Sequence, residues 1–413
     1  MSSVSYSAFS SKNYRKYLYG NLFSVLGVWI QRLALGWHAW QLSESALVVG
    51  LVAAAQFLPL VLLTPFFGVL VDQVNTRIAA IVMHFVLALI AGTLAALTVS
   101  GNMTVEWLIG LAFMHGLANS AYSPVRLALI PDLVRKEQFP SAVAIASMVF
   151  NFSRFVGPGI AGAIVALYGL GSAYAINAIT YLPVIYVLFI IRIEERTPDP
   201  GPKKPYFAQL AEGLRYTRSH ARIRQIILLS GVSNFFGRGI LELMPAFAAL
   251  IFEGGSGALA ALMAATGIGA IMASVALSFR RLHSQLHALV AFGSIGVGLS
   301  MFLFALVKSL PMGILAVLLL GLFASLVSIG SQTEVQILVE NRLRGRVMSL
   351  WTLVIMGGPA IGSVVAGALA GNIGATYASY SFAAACLLLV MLVGIKRPGL
   401  PEVQNAEKTI GTD

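Results

Sequence analysis

The sequence predicts an all-α integral membrane protein with twelve transmembrane helices in two pseudo-symmetric six-helix bundles. Three observations predict it. Of 413 residues, 58% are hydrophobic and only 10% are charged, whereas a soluble domain carries about 25% charge. The apolar residues fall in long blocks such as 47–70 and 226–252, and at about 1.5 Å of rise per residue such blocks cross the ~30 Å hydrocarbon core. The basic residues cluster in alternate connections, so the chain recrosses a boundary at regular intervals.

Hydropathy places the spans near 17–42, 46–71, 78–100, 104–127, 139–168, 172–192, 224–252, 257–279, 285–307, 311–337, 345–370 and 373–395. The connections at Glu44, Asn102, Gly169, Gly255 and Asn372 carry no lysine or arginine, and the remaining connection on that side holds only Lys308. Of the 27 basic residues, 23 lie on the other side, from Lys12, Arg15 and Lys16 before span 1 to Lys396, Arg397 and Lys408 after span 12. The positive-inside rule makes that side cytoplasmic and puts both termini there. The net charge of +11 is therefore a topology signal, with no nucleic acid implied. The first apolar segment contains Gln31 and Arg32 and is long, so it is expected to stay as span 1 and not to be cleaved as a signal peptide.

The longest polar stretch divides the spans six and six. The expected organisation is an N-terminal bundle over 1–193, a cytoplasmic linker over 194–222, a C-terminal bundle over 223–397 and a tail over 398–413. The linker opens with a Pro/Gly-rich piece, Thr197 to Pro205, that regular helix excludes. An amphipathic helix should follow, with Phe207, Leu210 and Leu214 on one face. An internal repeat supports two related halves: Gly157-Pro158 with Gly162 in span 5 corresponds to Gly358-Pro359 with Gly362 and Ser363 in span 11. The 40 glycines and 16 prolines suit lipid, where small residues let helix backbones approach.

Charges inside the membrane mark the candidate site. Arg32, Arg154 and Arg238 each lie roughly 20 Å from the cytoplasmic surface at ~1.5 Å per residue. An unpartnered charge at that depth costs ~3 kcal/mol or more, so each should meet water or a counter-charge. Their helical neighbours are polar: Asn21 shares a face with Arg32, Ser147 and Asn151 with Arg154, and Asn234 and Glu242 with Arg238. Glu242 is the one carboxylate deep in a span and, four residues from Arg238, is expected to pair with it. Three positive groups against one negative favour an anionic or catechol-like ligand. His115 carries Asn119, Tyr122 and Ser123 on its face of span 4 and can bind substrate, relay protons or simply pack. Gln31 is placed with His38 on the cavity face of span 1, and Gln332 joins Ser325, Ser328 and Gln336 in a polar stripe on span 10.

Other chemistry is not expected. Cys386 is the single cysteine, so neither a disulfide nor a zinc site is built from thiols. The sequence has no phosphate-cradling Gly-x-x-x-x-Gly-Lys-Ser/Thr loop and no nucleophile elbow. No cofactor, metal or enzymatic reaction is predicted, and transport should draw on an ion or substrate gradient.

The loop after span 2, Gly68-Val-Leu70-Val-Asp72 with Arg77, resembles the signature of the major facilitator superfamily, although Asn75 and Thr76 stand where that family has a glycine and further basic residues. Gly157-Pro158 and Gly162 resemble the superfamily's antiporter motif. Trp29 to Trp37, Gly116 to Arg126, Ala128 to Leu133 and Leu343 to Ser349 are similar to the branch that contains the enterobactin exporter and macrolide efflux proteins. The resemblance implies alternating access about a central cavity lined by spans 1, 4, 5, 7 and 10, a gate built on Gly68, Asp72, Arg77 and Arg126, and export, with monomeric carriers in a bacterial-type inner membrane. Asp72 can accept hydrogen bonds from Arg77, Arg126 or the start of span 11, latching the halves on the cytoplasmic side, or form a static surface bridge worth under ~1 kcal/mol. The expected function is proton-coupled export of a siderophore-like or drug-like amphipathic molecule. A lysophospholipid flippase of the same fold and a transport-inactive sensor or scaffold are the alternatives.

Overall fold

The computed structural model describes residues 7–191, 206–278 and 285–395. The described residues are almost wholly helical, and the helices run Lys12–Ser43, Ala46–Leu70, Thr76–Val99, Val105–Asp132, Phe139–Ile190, Tyr206–Ser219, Ala221–Leu250 in broken pieces, Ser256–Ser278, Leu286–Leu306, Leu310–Leu338, Asn341–Ile373 and Ala375–Ile395. Eight of them, or nine with the bent piece from Ala221 to Leu250, are long and apolar enough to cross a membrane by that measure alone. The count of twelve follows from three further spans, one from the turn inside a helix already counted and two from helices that are not. Phe139–Ile190 has 52 residues, about 78 Å at 1.5 Å per residue, more than twice a bilayer core. It turns back at Gly169, with φ 78° and ψ 174°, so 139–168 is span 5 and 170–190 is span 6. Lys12–Ser43 and Val105–Asp132 are long enough to cross, and the cavity residues Asn21, Arg32, His115, Asn119 and Arg126 lower their hydropathy.

Five of the six connections opposite the basic face turn through a left-handed residue: Glu44, Gly101, Gly169, Glu253 and Gly374. Gly169 is the demanding one, because its φ/ψ pair is a region that side-chain-bearing residues avoid at a cost of about 1–3 kcal/mol. Gly169→Ala should therefore lower the thermal midpoint of the detergent-purified protein, and an unchanged midpoint would show that the turn relaxes freely.

Small residues bring the spans together within each half. A β-carbon at Gly20 would meet the span 6 backbone at Val184, one at Gly116 the span 2 backbone at Ala55 and Gln56, and one at Gly239 the span 11 backbone at Gly362. Buried polar pairs add specificity: the Asn177 amide donates to Gln31 Oε1 at 2.6 Å, tying span 6 to span 1. In the C-terminal half Arg222 of span 7 holds Glu334 of span 10 at 2.7 Å, with His287 Nδ1 of span 9 at 3.4 Å from the same carboxylate.

The two halves meet as a wedge. Away from the basic face they are closed: Ser363 Oγ of span 11 donates to the Gly50 carbonyl of span 2 at 3.1 Å, Gly367 abuts Ala46 and Leu47, Gly162 of span 5 abuts Ala260 of span 8, and Gly36 of span 1 abuts Pro245 beyond span 7's break. Midway, a β-carbon at Gly357 would still sit 3.6 Å from Val61. Near the basic face Gly68 and Gly345 have nothing within 4 Å of that position. The expectation that Gly68 serves close helix packing is thus not met in this conformation, because the halves have parted there. The linker helix, Tyr206–Ser219, rests on the start of span 11, with Glu212 paired to Arg346. The Pro/Gly-rich piece 197–205 and the tail 398–413 lie outside the described residues.

Candidate functional site

The wedge opens a cavity of about 890 Å³ from mid-bundle to the basic face. Arg32, Arg154, Arg238 and Glu242 line it, with His115 and Asn119 from span 4 and Arg126 nearer the mouth. Its other wall is apolar, with Phe57, Leu60 and Val61 of span 2 facing Met348, Leu353 and Met356 of span 11. One polar and one apolar wall suit an amphipathic ligand.

The polar wall is organised by aromatic rings and one ion pair. Trp29 lies one turn before Arg32, which sits 5.3 Å from its ring centroid and 4.9 Å from that of Phe57. Arg154 sits 6.0 Å from the same Trp29 ring, and Phe150 meets that ring edge-on at 5.7 Å. The ring faces attract guanidinium and spare it full hydration. Arg32 Nη2 donates to Glu242 Oε1 at 2.5 Å, joining span 1 of one half to span 7 of the other.

That pairing corrects the expected Arg238–Glu242 pair. The four-residue spacing brings side chains together only in regular helix, and span 7 is irregular on both sides of this segment. Asn234–Arg238 is a π-turn, which winds one extra residue into the path. After Glu242 the helix breaks at Leu243 and bends by 52°. Arg238 and Glu242 both line the cavity, but Glu242 meets Arg32 while Arg238 also lines a side chamber between spans 5, 8 and 10. The same π-turn takes Asn234 off the cavity wall: it is buried, and its amide donates to the Ser230 carbonyl at 2.9 Å.

Two further placements are corrected. Gln31 turns to Asn177 of span 6 and does not line the cavity, since neighbouring residues on a helix point about 100° apart and Arg32 holds the cavity side. Gln332 is half-buried and lines neither chamber, whereas Ser325 and Ser328 from the same stripe line the smaller one with Asn151. The Asn119 amide donates to the His115 carbonyl at 2.9 Å and lies against the ring.

The loop motif divides. The side chain of Asp72 lies outside the described residues. Arg77 donates through Nε and Nη2 to the Leu188 and Phe189 carbonyls at 2.6 and 2.7 Å, capping the last turn of span 6 where helix carbonyls lack partners. In the span 5 motif Gly157 admits Trp29 of span 1, Gly162 admits Ala260 of span 8, and Pro158 is buried between them. These residues close the end of the cavity farthest from the basic face.

Sequence reasoning missed most of the walls supplied by spans 2, 8 and 11 and by Gln209 of the linker helix. The polar residues of those spans that line the cavity, Gln56, Thr64, Thr266, Ser349 and Thr352, are uncharged and scattered through apolar runs, so they did not mark a wall. The Trp29–Arg32 spacing was an available signal for the aromatic cradle.

A sequence model for a family described as transmembrane secretion effectors matches residues 3–411. The chain belongs to this family of the major facilitator superfamily. Among its curated relatives are the staphyloferrin A transporter of Staphylococcus aureus, 25% identical over 81% of this chain and 84% of that one, and the enterobactin exporter EntS of Escherichia coli, 27% identical over 73% and 70%. The fold matches a bacterial homologue of the human lysosomal transporter Spinster with a TM-score of 0.72 at 14% identity, over 94% and 98% of the two chains. A POT family transporter matches with a TM-score of 0.75 at 12% identity, over 92% and 95%. The secretion-effector chain is thus a multi-pass membrane transporter of major facilitator fold.

Proposed function

We propose that this protein is a secondary exporter of a small amphipathic, siderophore-like anion, driven by proton antiport, with its basic face and both termini in the cytoplasm. The observation that carries this reading is the Arg32–Glu242 bridge, at the closed end of a cavity that opens to the basic face and holds four guanidiniums, those of Arg32, Arg154, Arg238 and Arg126, against one carboxylate. Two relatives named for siderophores support the substrate class.

The bridge ties the halves together while the cavity faces the cytoplasm. An anion on Arg32 releases Glu242, and a proton on Glu242 releases Arg32. Either event frees spans 1 and 7 to part. The loaded carrier then rocks outward as spans 2 and 11 close around Gly68 and Gly345. Outside, the substrate leaves and a proton takes its place on Glu242, the protonated empty carrier returns, and the bridge reforms when the proton enters the cytoplasm. Exchange follows because each crossing needs one of the two events.

Proteoliposomes holding the purified protein test the reading, with enterobactin and staphyloferrin A as probes. Substrate flux should rise several-fold when the lumen facing the non-basic side is acidified. Flux indifferent to the pH gradient would rule out proton antiport, and the absence of flux for both probes would rule out the siderophore class.

A further inference from the structure

Beside the main cavity lies a second chamber of about 170 Å³, lined by Asn151, Arg154, Arg238, Ser274, Ser325 and Ser328. Arg154 and Arg238 line both spaces, so the chamber is a side pocket of the main one. Its electrostatics are one-sided. Glu242 is engaged by Arg32, and among the described residues neither Arg154 nor Arg238 has a carboxylate within 4 Å. Glu242 acts on these two guanidiniums only from beyond 4 Å while it is held by Arg32, so the chamber keeps a net positive charge that a bound anion would offset. The hydroxyls of Ser325 and Ser328, one turn apart on span 10, have no hydrogen-bond partner among the described residues and are free to donate. Ser274 and Asn151 are engaged with backbone carbonyls of their own helices.

We propose that this chamber is a subsite for a carboxylate-bearing arm of the exported molecule, a specificity pocket distinct from the Arg32–Glu242 bridge. The proposal rests on the reading of the main cavity as a substrate path and adds where the negative group sits. The chamber is close in size to a cavity of ~150 Å³ that holds benzene, so it takes one arm and leaves the bulk of an amphipathic substrate against spans 2 and 11. Guanidinium forks match carboxylate geometry, and two serine hydroxyls supply further donors. Arg154, against the Trp29 ring, and Arg238, the last residue of the π-turn, both belong to elements that move when the halves rock, so an anion bound here is felt at the bridge.

The test uses the detergent-purified full chain, with 4-fluorobenzoate and its neutral isostere 4-fluorobenzamide followed by fluorine NMR. The acid should bind at least tenfold more tightly than the amide. Arg238→Gln should abolish that preference, and Ser328→Phe, which fills the chamber without touching a charge, should abolish acid binding. Equal binding of acid and amide, no binding of the acid, or a preference that survives both substitutions overturns the proposal. Proton-driven export of an amphipathic probe without any acid preference would remove the chamber and leave the exporter reading intact. The preference without proton-driven export would do the reverse.

Discussion

Replacing Glu242 with glutamine should uncouple the carrier from the proton gradient. The substitution keeps the shape of the side chain and removes the negative half of the bridge to Arg32. Breaking one partner of a buried ion pair costs about 3–5 kcal/mol. The two side chains are 28% and 16% exposed to the cavity, and solvent there reduces the figure to roughly 1–3 kcal/mol. In the proposed cycle the bridge belongs to the cytoplasm-facing state alone, so its population relative to the opposite state should fall by about five- to 150-fold. Substrate flux down its own gradient should persist while stimulation by a pH gradient disappears. A Glu242→Gln protein that still responds to the gradient in proteoliposomes would take the carboxylate out of the coupling mechanism.

Two glycine substitutions at opposite ends of span 2 should push the carrier in opposite directions. A β-carbon at Gly50 would collide with the Ser363 carbonyl, whose carbon would be 2.9 Å away. Backbone on both sides leaves no flexible atom to yield, and overpacking of this kind costs about 1–3 kcal/mol. Gly50→Val should therefore open the seal between spans 2 and 11 on the non-basic side. At Gly68 a β-carbon meets nothing within 4 Å, so Gly68→Val should leave the observed state untouched and obstruct the opposite one. Both proteins should lose transport while folding normally. A membrane-impermeant maleimide reacting with a cysteine placed at Thr266 in the cavity should label the Gly50→Val protein from the non-basic side and the Gly68→Val protein from the basic side. Equal labelling patterns would refute the rocking geometry.

The span boundaries were legible because they depend on transfer of side chains into lipid, a local property summed along the chain. The turn at Gly169 and the repeated Gly-Pro elements of spans 5 and 11 were visible for the same reason. Rise per residue alone also set Arg32, Arg154 and Arg238 at a common level, and all three line the one cavity. What the sequence concealed was azimuth and partner choice. Arg32 and Glu242 are separated by 210 positions, and no local spacing announces a contact made by docking two halves. The π-turn at Asn234–Arg238 rotates the residues of span 7 without leaving a mark in hydropathy, which is why Asn234 and the Arg238–Glu242 pair were misplaced. Gln31 and Arg32 are adjacent and both polar, so composition could not decide which faced the cavity. The apolar walls from spans 2 and 11 are indistinguishable in sequence from lipid-facing surface, since both are covered by the same side chains.

Paired distances at the two ends of spans 2 and 11 test alternating access most directly. Cys386 is the single native thiol and is buried, so cysteines placed at Gln73 and Arg344 on the basic face, or at Glu44 and Asn372 on the other, can be spin-labelled selectively. Protonating conditions, or Glu242→Gln, should shorten the Gln73–Arg344 distance and lengthen the Glu44–Asn372 distance within the same sample series. Distances that stay fixed, or that change in the same sense at both ends, would contradict the account.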